Sequence, residues 1–334
     1  MLTHVGDLDP VAIVGDRCFT GLRDVTPDVA ALDSPGLWVV VVSFDGGAVC
    51  ARFERVGRVP LEWPAWVGPV ASAWSSSLDR DAFCKGVVDI REAIAAGDVY
   101  EVNLCRVLST AVGVDADIVG LGGVLRAGNP SPYGAIVRLP GVELASASPE
   151  LFLRRQSDVV ESRPIKGTAS SGGSFSAKDR AENVMIVDLV RNDLGRVCEY
   201  GSIEVPALCA VERHPGLDHL VSTVRGRLRA DVGWAELLTA AFPAGSVTGA
   251  PKLAALEMIR KLEPVPRGPY CGTVGWVDGD RARGELNVAI RTFWLEDGRL
   301  HFGTGAAVTW DSTPDGEWAE TELKASRLLS IAST

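Results

Sequence analysis

A chain of 334 residues, 46% hydrophobic and 23% charged, has the composition of a soluble globular protein with enough apolar content for a large core. Its formal charge of −10, from 33 basic and 43 acidic residues with no block of lysine and arginine, excludes a phosphate-tracking surface for nucleic acid. Seven scattered cysteines, odd in number and never in a C-x-x-C pair, argue against a disulfide framework and a zinc site and for a reducing, cytoplasmic setting.

Residues 1–10 carry Asp7 and Asp9 and no apolar run, so no secretory signal is expected. The apolar run 37–42 has the length of a buried strand and is far too short to span a membrane. Residues 1–70 read as a shortened β-rich region (strands at 11–14, 37–42 and 49–53) that completes the sheet of a larger region, 71–334. Residues 76–96 predict a helix, because Phe83, Val87, Ile90 and Ile94 recur at helical spacing. Asp79 is its expected cap and Gly97-Asp98 its stop. Strands are expected at 100–108, 134–139, 143–146 and 151–154.

The stretch 161–168, Glu-Ser-Arg-Pro-Ile-Lys-Gly-Thr, follows. Pro164 fixes one dihedral, and Gly167 leaves open main chain beside Lys166. Taken alone, a lysine in a Pro/Gly turn reads as a solvated surface residue.

The run 176–192 predicts a helix on which Asp179 and Glu182, three apart, share a face. The same spacing returns at Glu317 and Glu320 in the last helix, with Lys324 one turn further on. Two acidic pairs on two facing helices would make an oxygen-only site of the kind hard divalent cations use. Strands are expected at 203–211 and 217–229, and a short helix at 234–242. The loop 243–249 leads into a helix near Pro251, which suits a first turn, and offers free backbone N–H groups to an anion. It is no Walker motif, since the G-K-[ST] ending is missing. Strands at 270–277, 285–295 and 300–308 close the chain, with turns at Asp278-Gly279-Asp280 and Asp297-Gly298-Arg299. Alternating strands with interspersed helices and no βαβ period indicate an α+β fold.

Six of these stretches fall in an order that resembles the chorismate-utilising enzymes. They are Gly97-Asp98-Val99-Tyr100-Glu101-Val102-Asn103-Leu104; Ser148-Pro149-Glu150; the octet 161–168; the run 181–194; the run 242–252; and Glu317-Trp318-Ala319-Glu320-Thr321. The octet is similar to the P-I-K-G-T signature in the form carried by the component I branch of the aminodeoxychorismate synthases. The resemblance runs from about Ala82 to Leu329, roughly three quarters of the chain.

That resemblance implies two facing, mostly antiparallel sheets with outer helices, of the anthranilate synthase component I kind. It implies conversion of chorismate and ammonia to 4-amino-4-deoxychorismate, for para-aminobenzoate and folate synthesis or an antibiotic pathway. It assigns Lys166 as the nucleophile at ring carbon 2, Glu150 as the acid for the departing 4-hydroxyl, and His219 to orienting or proton handling. Thr168, Thr248, Tyr270, Arg291, Gly305 and Lys324 are the implied substrate contacts, with Tyr270 and Arg291 on the enolpyruvyl carboxylate. Mg²⁺ is implied on Glu182 and Glu320 directly, with Asp179 and Glu317 reaching it through water. No cysteine lies in a G-x-C-x-G context, so ammonia is expected from a separate glutamine amidotransferase subunit.

The chain also departs from the family pattern. Glu101 stands where members mostly have glutamine and water-using members have lysine. It would either handle ammonium or replace the glutamine sterically. The Leu-Leu-Glu-Ser motif of a tryptophan site is absent, so no tryptophan feedback is expected. Lys166, usually alanine in anthranilate-forming relatives, disfavours that reaction. An anthranilate synthase component I-like enzyme and a chorismate-binding homologue without turnover both stay open. Lys166 would have to be neutral to attack, whereas a free lysine titrates at about 10.4.

Overall fold

The computed structural model describes residues 9–60, 62–170, 172–214 and 217–334; the side chains at 168, 170, 214 and 217 fall outside the description. The strands run in chain order as β1 (Val11–Val14), β2 (Arg17–Thr26), β3 (Leu37–Val42), β4 (Ala48–Arg58), β5 (Ser75–Ser76) and β6 (Glu101–Ala111). Then come β7 (Ala135–Leu139), β8 (Val142–Ser146), β9 (Leu151–Gln156), β10 (Val159–Arg163), β11 (Ile165–Ser170), β12 (Glu204–His214) and β13 (Leu217–Arg227). The last five are β14 (Gly249–Ala250), β15 (Thr273–Asp278), β16 (Arg283–Val288), β17 (Thr292–Glu296) and β18 (Arg299–Val308). Six helices accompany them among the described residues: α1 (Arg80–Ala96), α2 (Ile118–Gly128), α3 (Ala177–Gly195), α4 (Trp234–Ala241), α5 (Lys252–Leu262) and α6 (Pro314–Ala332).

All eighteen strands of the described residues belong to one hydrogen-bonded ribbon. Its spatial order is β6-β18-β17-β8-β7-β1-β2-β4-β3-β15-β16-β9-β10-β13-β12, and each of these pairings is antiparallel. Strands β5 and β14 flank β6, and β11 continues the line of β10 on β13. The two facing layers are therefore halves of a single folded ribbon. Strands β1–β4 form the bend between them, since β1 pairs with β7 in one half and β3 with β15 in the other.

Side-chain alternation assigns the layers. On β7, Ala135, Val137 and Leu139 face the interior shared with Val274 and Trp276 of the other half. Ile136 between them points outward, to a second core under α2 and α6 with Phe293, Phe302, Leu121 and Leu328. A third core joins α1 and α5 to the β6 end through Phe83, Val87, Leu104 and Ile259. Helices α3 and α4 cover the outer face of the other half through Ile186, Val190, Leu237 and Leu238. No helix among the described residues is long and apolar enough to cross a membrane.

Two elements differ from expectation. Residues 285–295 are two strands, one in each half of the ribbon. The chain crosses over at Ala289–Arg291, where Ala289 exchanges hydrogen bonds with Cys271 and Gly272, and Arg291 adopts φ +54°. The apolar alternation runs through this crossover unbroken, so the sequence pattern does not reveal it. Helix α2 carries Gly120, Gly122 and Gly123 and lacks any propensity signal. Those glycines are where it is pressed hardest: a Cβ at Gly122 would lie 2.4 Å from Ile136, and one at Gly123 2.7 Å from Trp63.

Candidate active site

The organising lysine sits on a bulge. Between β11 and β13, Ile165 pairs with Val221 and Thr168 with His219, so two residues, Lys166 and Gly167, oppose one, Leu220. Pro164 cannot donate to the ladder and Gly167 takes φ +94°, which together break the alternation at Lys166. A Cβ on Gly167 would come within 3.0 Å of Asp179, so α3 lies directly against this turn. The bulge turns Lys166 inward, where it is 8% exposed; it is not the solvated lysine of an ordinary turn.

Its ammonium meets Glu101, the first residue of β6, at 2.8 Å (Nζ to Oε1). Glu101 is fully buried, and its second oxygen, Oε2, has no hydrogen-bond partner among the described residues. Asn103, next on the same face, bridges Glu101 at 3.4 Å and the Ser246 carbonyl at 3.2 Å. The loop 243–249 can close over this point because Gly249, at φ +144°, lets its backbone approach the Glu101 carbonyl. Arg267, itself buried, fastens loop and strand together. It donates to the Val247 carbonyl and the Asn103 carbonyl, each at 2.8 Å, and pairs with Glu263.

Burial is the strongest influence on Lys166 and favours the neutral amine, but Glu101, Glu182 and Glu150 oppose it and prevail. The ammonium is therefore held above the usual lysine range. Glu150, 4% exposed, has its pKa pushed up to about 7 by burial, against the Ser246 hydroxyl, the Ile165 backbone and Lys166. A carboxyl poised near neutrality suits a general acid. A cavity of about 20 Å³, room for one water, lies behind it, lined in part by Ser162, Asp193 and Ser246.

A second acidic group adjoins the first. Burial raises Glu182 on α3 to about 6, with Lys166 opposing and Glu320 adding to the rise. On α6, Glu317 is buried, is raised by burial and by Glu320, and has one oxygen, Oε2, without a partner. Lys178 stands 3.7 Å from both Glu182 and Glu317 and bridges the two helices. Glu320 pairs with Lys324 at 2.6 Å. Among the described residues, these carboxylates are not drawn up to metal-ligand spacing. The donor set still fits a hard divalent cation: three carboxylates from two facing helices, an orphaned buried oxygen, and a cationic side chain between two of them. Asp179 stays outside this group. Its carboxylate closes a capping box with Ser176 at the start of α3.

The remaining candidates are more dispersed. His219 is buried on β13, in register with Thr168 and Glu212. The Thr168 side chain lies outside the described residues. The Thr248 hydroxyl donates to the Ala244 carbonyl at 3.1 Å, which fixes the loop's own turn. Tyr270 is buried with its hydroxyl 4.0 Å from Cys105, and its ring lies so close over Gly303 that a Cβ there would be 2.0 Å from it. Arg291, at the crossover, makes no side-chain hydrogen bond or ion pair among the described residues. Burial, with Arg327 adding, lowers its pKa, as expected for a guanidinium without an anion. Lys324 also donates to the Gly305 carbonyl at 3.1 Å. Among the described residues, neither Tyr270 nor Arg291 hydrogen-bonds to the Lys166 group.

Sequence reasoning assigned no role to Lys178 or Ser246 and left Glu101 between two roles. Lys178 had a local signal, its i, i+4 spacing to Glu182. Glu101 had none, because its partner is 65 residues away. A further concavity of about 380 Å³ opens between α2 and the β1–β7 pair, lined in part by Arg17, Arg126 and Asn129.

Residues 64–330 match the family model described as chorismate binding enzyme. The chain is 39% identical over 291 residues to an anthranilate synthase component 1 of Haloarcula marismortui, covering 84% of this chain and 59% of that one. It is 38% identical over 267 residues to an aminodeoxychorismate synthase component 1 of Bacillus subtilis, covering 76% and 56%. The chain thus spans little more than half the length of these relatives. The crystal structure of anthranilate synthase component I from Streptococcus pneumoniae superposes with a TM-score of 0.78 at 24% identity, covering 87% of this chain and 80% of that one, and shares the fold.

Proposed function

The chain belongs to the chorismate-binding enzyme family, and from that premise we propose that it aminates chorismate, giving 4-amino-4-deoxychorismate and water from chorismate and ammonia. The observation that carries this reading is Lys166, turned inward on its bulge and buried among Glu101, Glu150 and Glu182.

In the proposed reaction the Lys166 amine attacks ring carbon 2, the ring double bonds shift, and the 4-hydroxyl leaves as water with the proton of Glu150. Ammonia then adds at carbon 4, the double bonds shift back, and the lysine departs as a neutral amine. Glu150, now a carboxylate, regains its proton from ammonium and so supplies the ammonia of the second step. A pKa of about 7 lets it work in both directions near neutrality. Arg291, half-buried and without an ion pair among the described residues, suits a substrate carboxylate, because its planar fork makes two hydrogen bonds to such a group.

Glu182, Glu317 and Glu320 are the residues that would hold Mg²⁺. When bound, the ion would neutralise the ring carboxylate and make the ring more electron-poor. Ammonia would come from a separate glutamine amidotransferase subunit, and the relatives' names, component 1, support a partner.

The test is a product assay: purified chain, chorismate, Mg²⁺ and an ammonium salt at mildly alkaline pH, read by mass spectrometry. Aminodeoxychorismate is the expected product. Anthranilate, the product named by the first relative, would overturn the lysine chemistry while keeping the fold. Intact chorismate with and without a glutaminase subunit would leave a binding protein without turnover.

A further inference from the structure

We propose that Glu101 is the proton acceptor for Lys166, so that the nucleophilic amine is generated by a transfer within one buried pair and not by loss of a proton to solvent. This rests on the reading of Lys166 as the nucleophile and adds what that reading lacks, a route from the stored ammonium to the reactive amine.

Three observations converge. Glu101 takes the hydrogen bond of Lys166 Nζ at 2.8 Å, and neither group has appreciable contact with water. The second oxygen of Glu101 is buried without a partner among the described residues, so an acceptor position of this carboxylate is left open. The pair is rigidly placed: Lys166 by the bulge, and Glu101 by Asn103 and by the Arg267 clamp on strand and loop.

The transfer itself is balanced. Lys166 ammonium and Glu101 carboxylate become amine and carboxylic acid. The amine forms its bond to carbon 2 and later leaves as an amine, and Glu101 then returns the same proton. In the open site the charged form is favoured. Substrate seated over the pair closes it off further from solvent and raises the cost of two opposite charges relative to a neutral pair, because desolvation penalises the ions. The groups facing Lys166 are Glu101 from β6, Glu150 beside β9 and Glu182 from α3. With Glu101 neutralised, Glu150 and Glu182 would still hold the ammonium, which would then have to discharge to solvent.

The experiment compares wild type, Glu101→Gln and Glu101→Asp for turnover from pH 6 to 9.5 with ammonium and Mg²⁺. Intact mass after incubation with chorismate alone reads the lysine adduct. Wild type is expected to hold its turnover across neutrality. Glu101→Gln should be at least tenfold slower at pH 7, recover as pH rises past 9, and still form adduct at high pH. Glu101→Asp, which keeps the acceptor on a shorter arm, should keep the wild-type profile at reduced rate. A Glu101→Gln protein that matches wild type in rate and profile, with adduct present in both, overturns the role of Glu101 alone. Absence of adduct in wild type together with an active Lys166→Ala variant overturns both readings.

Discussion

Glu150→Gln should make the protein more stable and less active at once, with the gain depending on pH. Glutamine keeps the shape of the buried side chain and cannot ionise. In the wild type the carboxyl titrates at about 7 in place of the ordinary 4.5. The folded state therefore binds this proton more tightly than the unfolded chain does. Wild-type stability falls as pH rises from 4.5 to about 7 and then levels off. At about 1.4 kcal/mol per pH unit the full displacement is worth about 3 kcal/mol. Between pH 5.5 and 8.5, a window that avoids the isoelectric point near 5.0, about 2 kcal/mol of it should be visible. The assay is urea unfolding of both proteins by tryptophan fluorescence in chelator-containing buffer. The other raised carboxylates, Glu182 and Glu317, are common to both proteins and cancel in the difference. The gap between variant and wild type should widen with pH and flatten above about 7.5, and turnover of the variant should fall by a hundredfold or more, the usual scale for losing a general acid. A gap constant across the window would refute the argument from burial.

Lys166→Ala should abolish the adduct and leave Glu101 buried without its partner, a loss of about 3–5 kcal/mol in unfolding experiments. Adding Glu101→Gln should recover much of that loss, and a double variant no more stable than the single one would show that the pair is not coupled. Glu320→Gln should weaken Mg²⁺ binding at least tenfold by calorimetry, whereas Lys178→Ala should tighten it by removing the competing cation; unchanged isotherms in both would place the ion elsewhere. Gly303→Ala drives a methyl group into the Tyr270 ring and should cost about 2 kcal/mol or more, partly relieved by Tyr270→Ala in the same chain.

Much of this architecture is local and therefore legible. Asp79 was readable as a cap, and it accepts from Ala82 N–H as a cap does. Pro164 and Gly167 marked the place where the chain breaks its alternation, and Lys166 lies between them. What could not be read was set by distant parts of the chain. Helix α2 is held by Trp63 and Ile136 against its own glycines. The crossover at Ala289–Arg291 is imposed by Cys271 and Gly272. The partner of Lys166 is on another strand, and the carboxylate of Asp179, placed by spacing on the face of Glu182, is drawn into a cap. Periodicity reports which residues are buried; it does not say against what.

The bend of the ribbon has a consequence for how the chain is made. Strands β1 to β4 leave the ribosome before the strands that secure them: β1 needs β7, and β3 needs β15 at Thr273–Asp278, made more than 230 residues later. Until then β3, apolar on both faces, has an open edge of the kind that pairs with whatever strand it meets. Contacts so far apart in sequence close slowly. The bend is therefore made well before it can be secured, and a nascent chain stalled before residue 273 would present Leu37–Val42 to chaperones or to its neighbours.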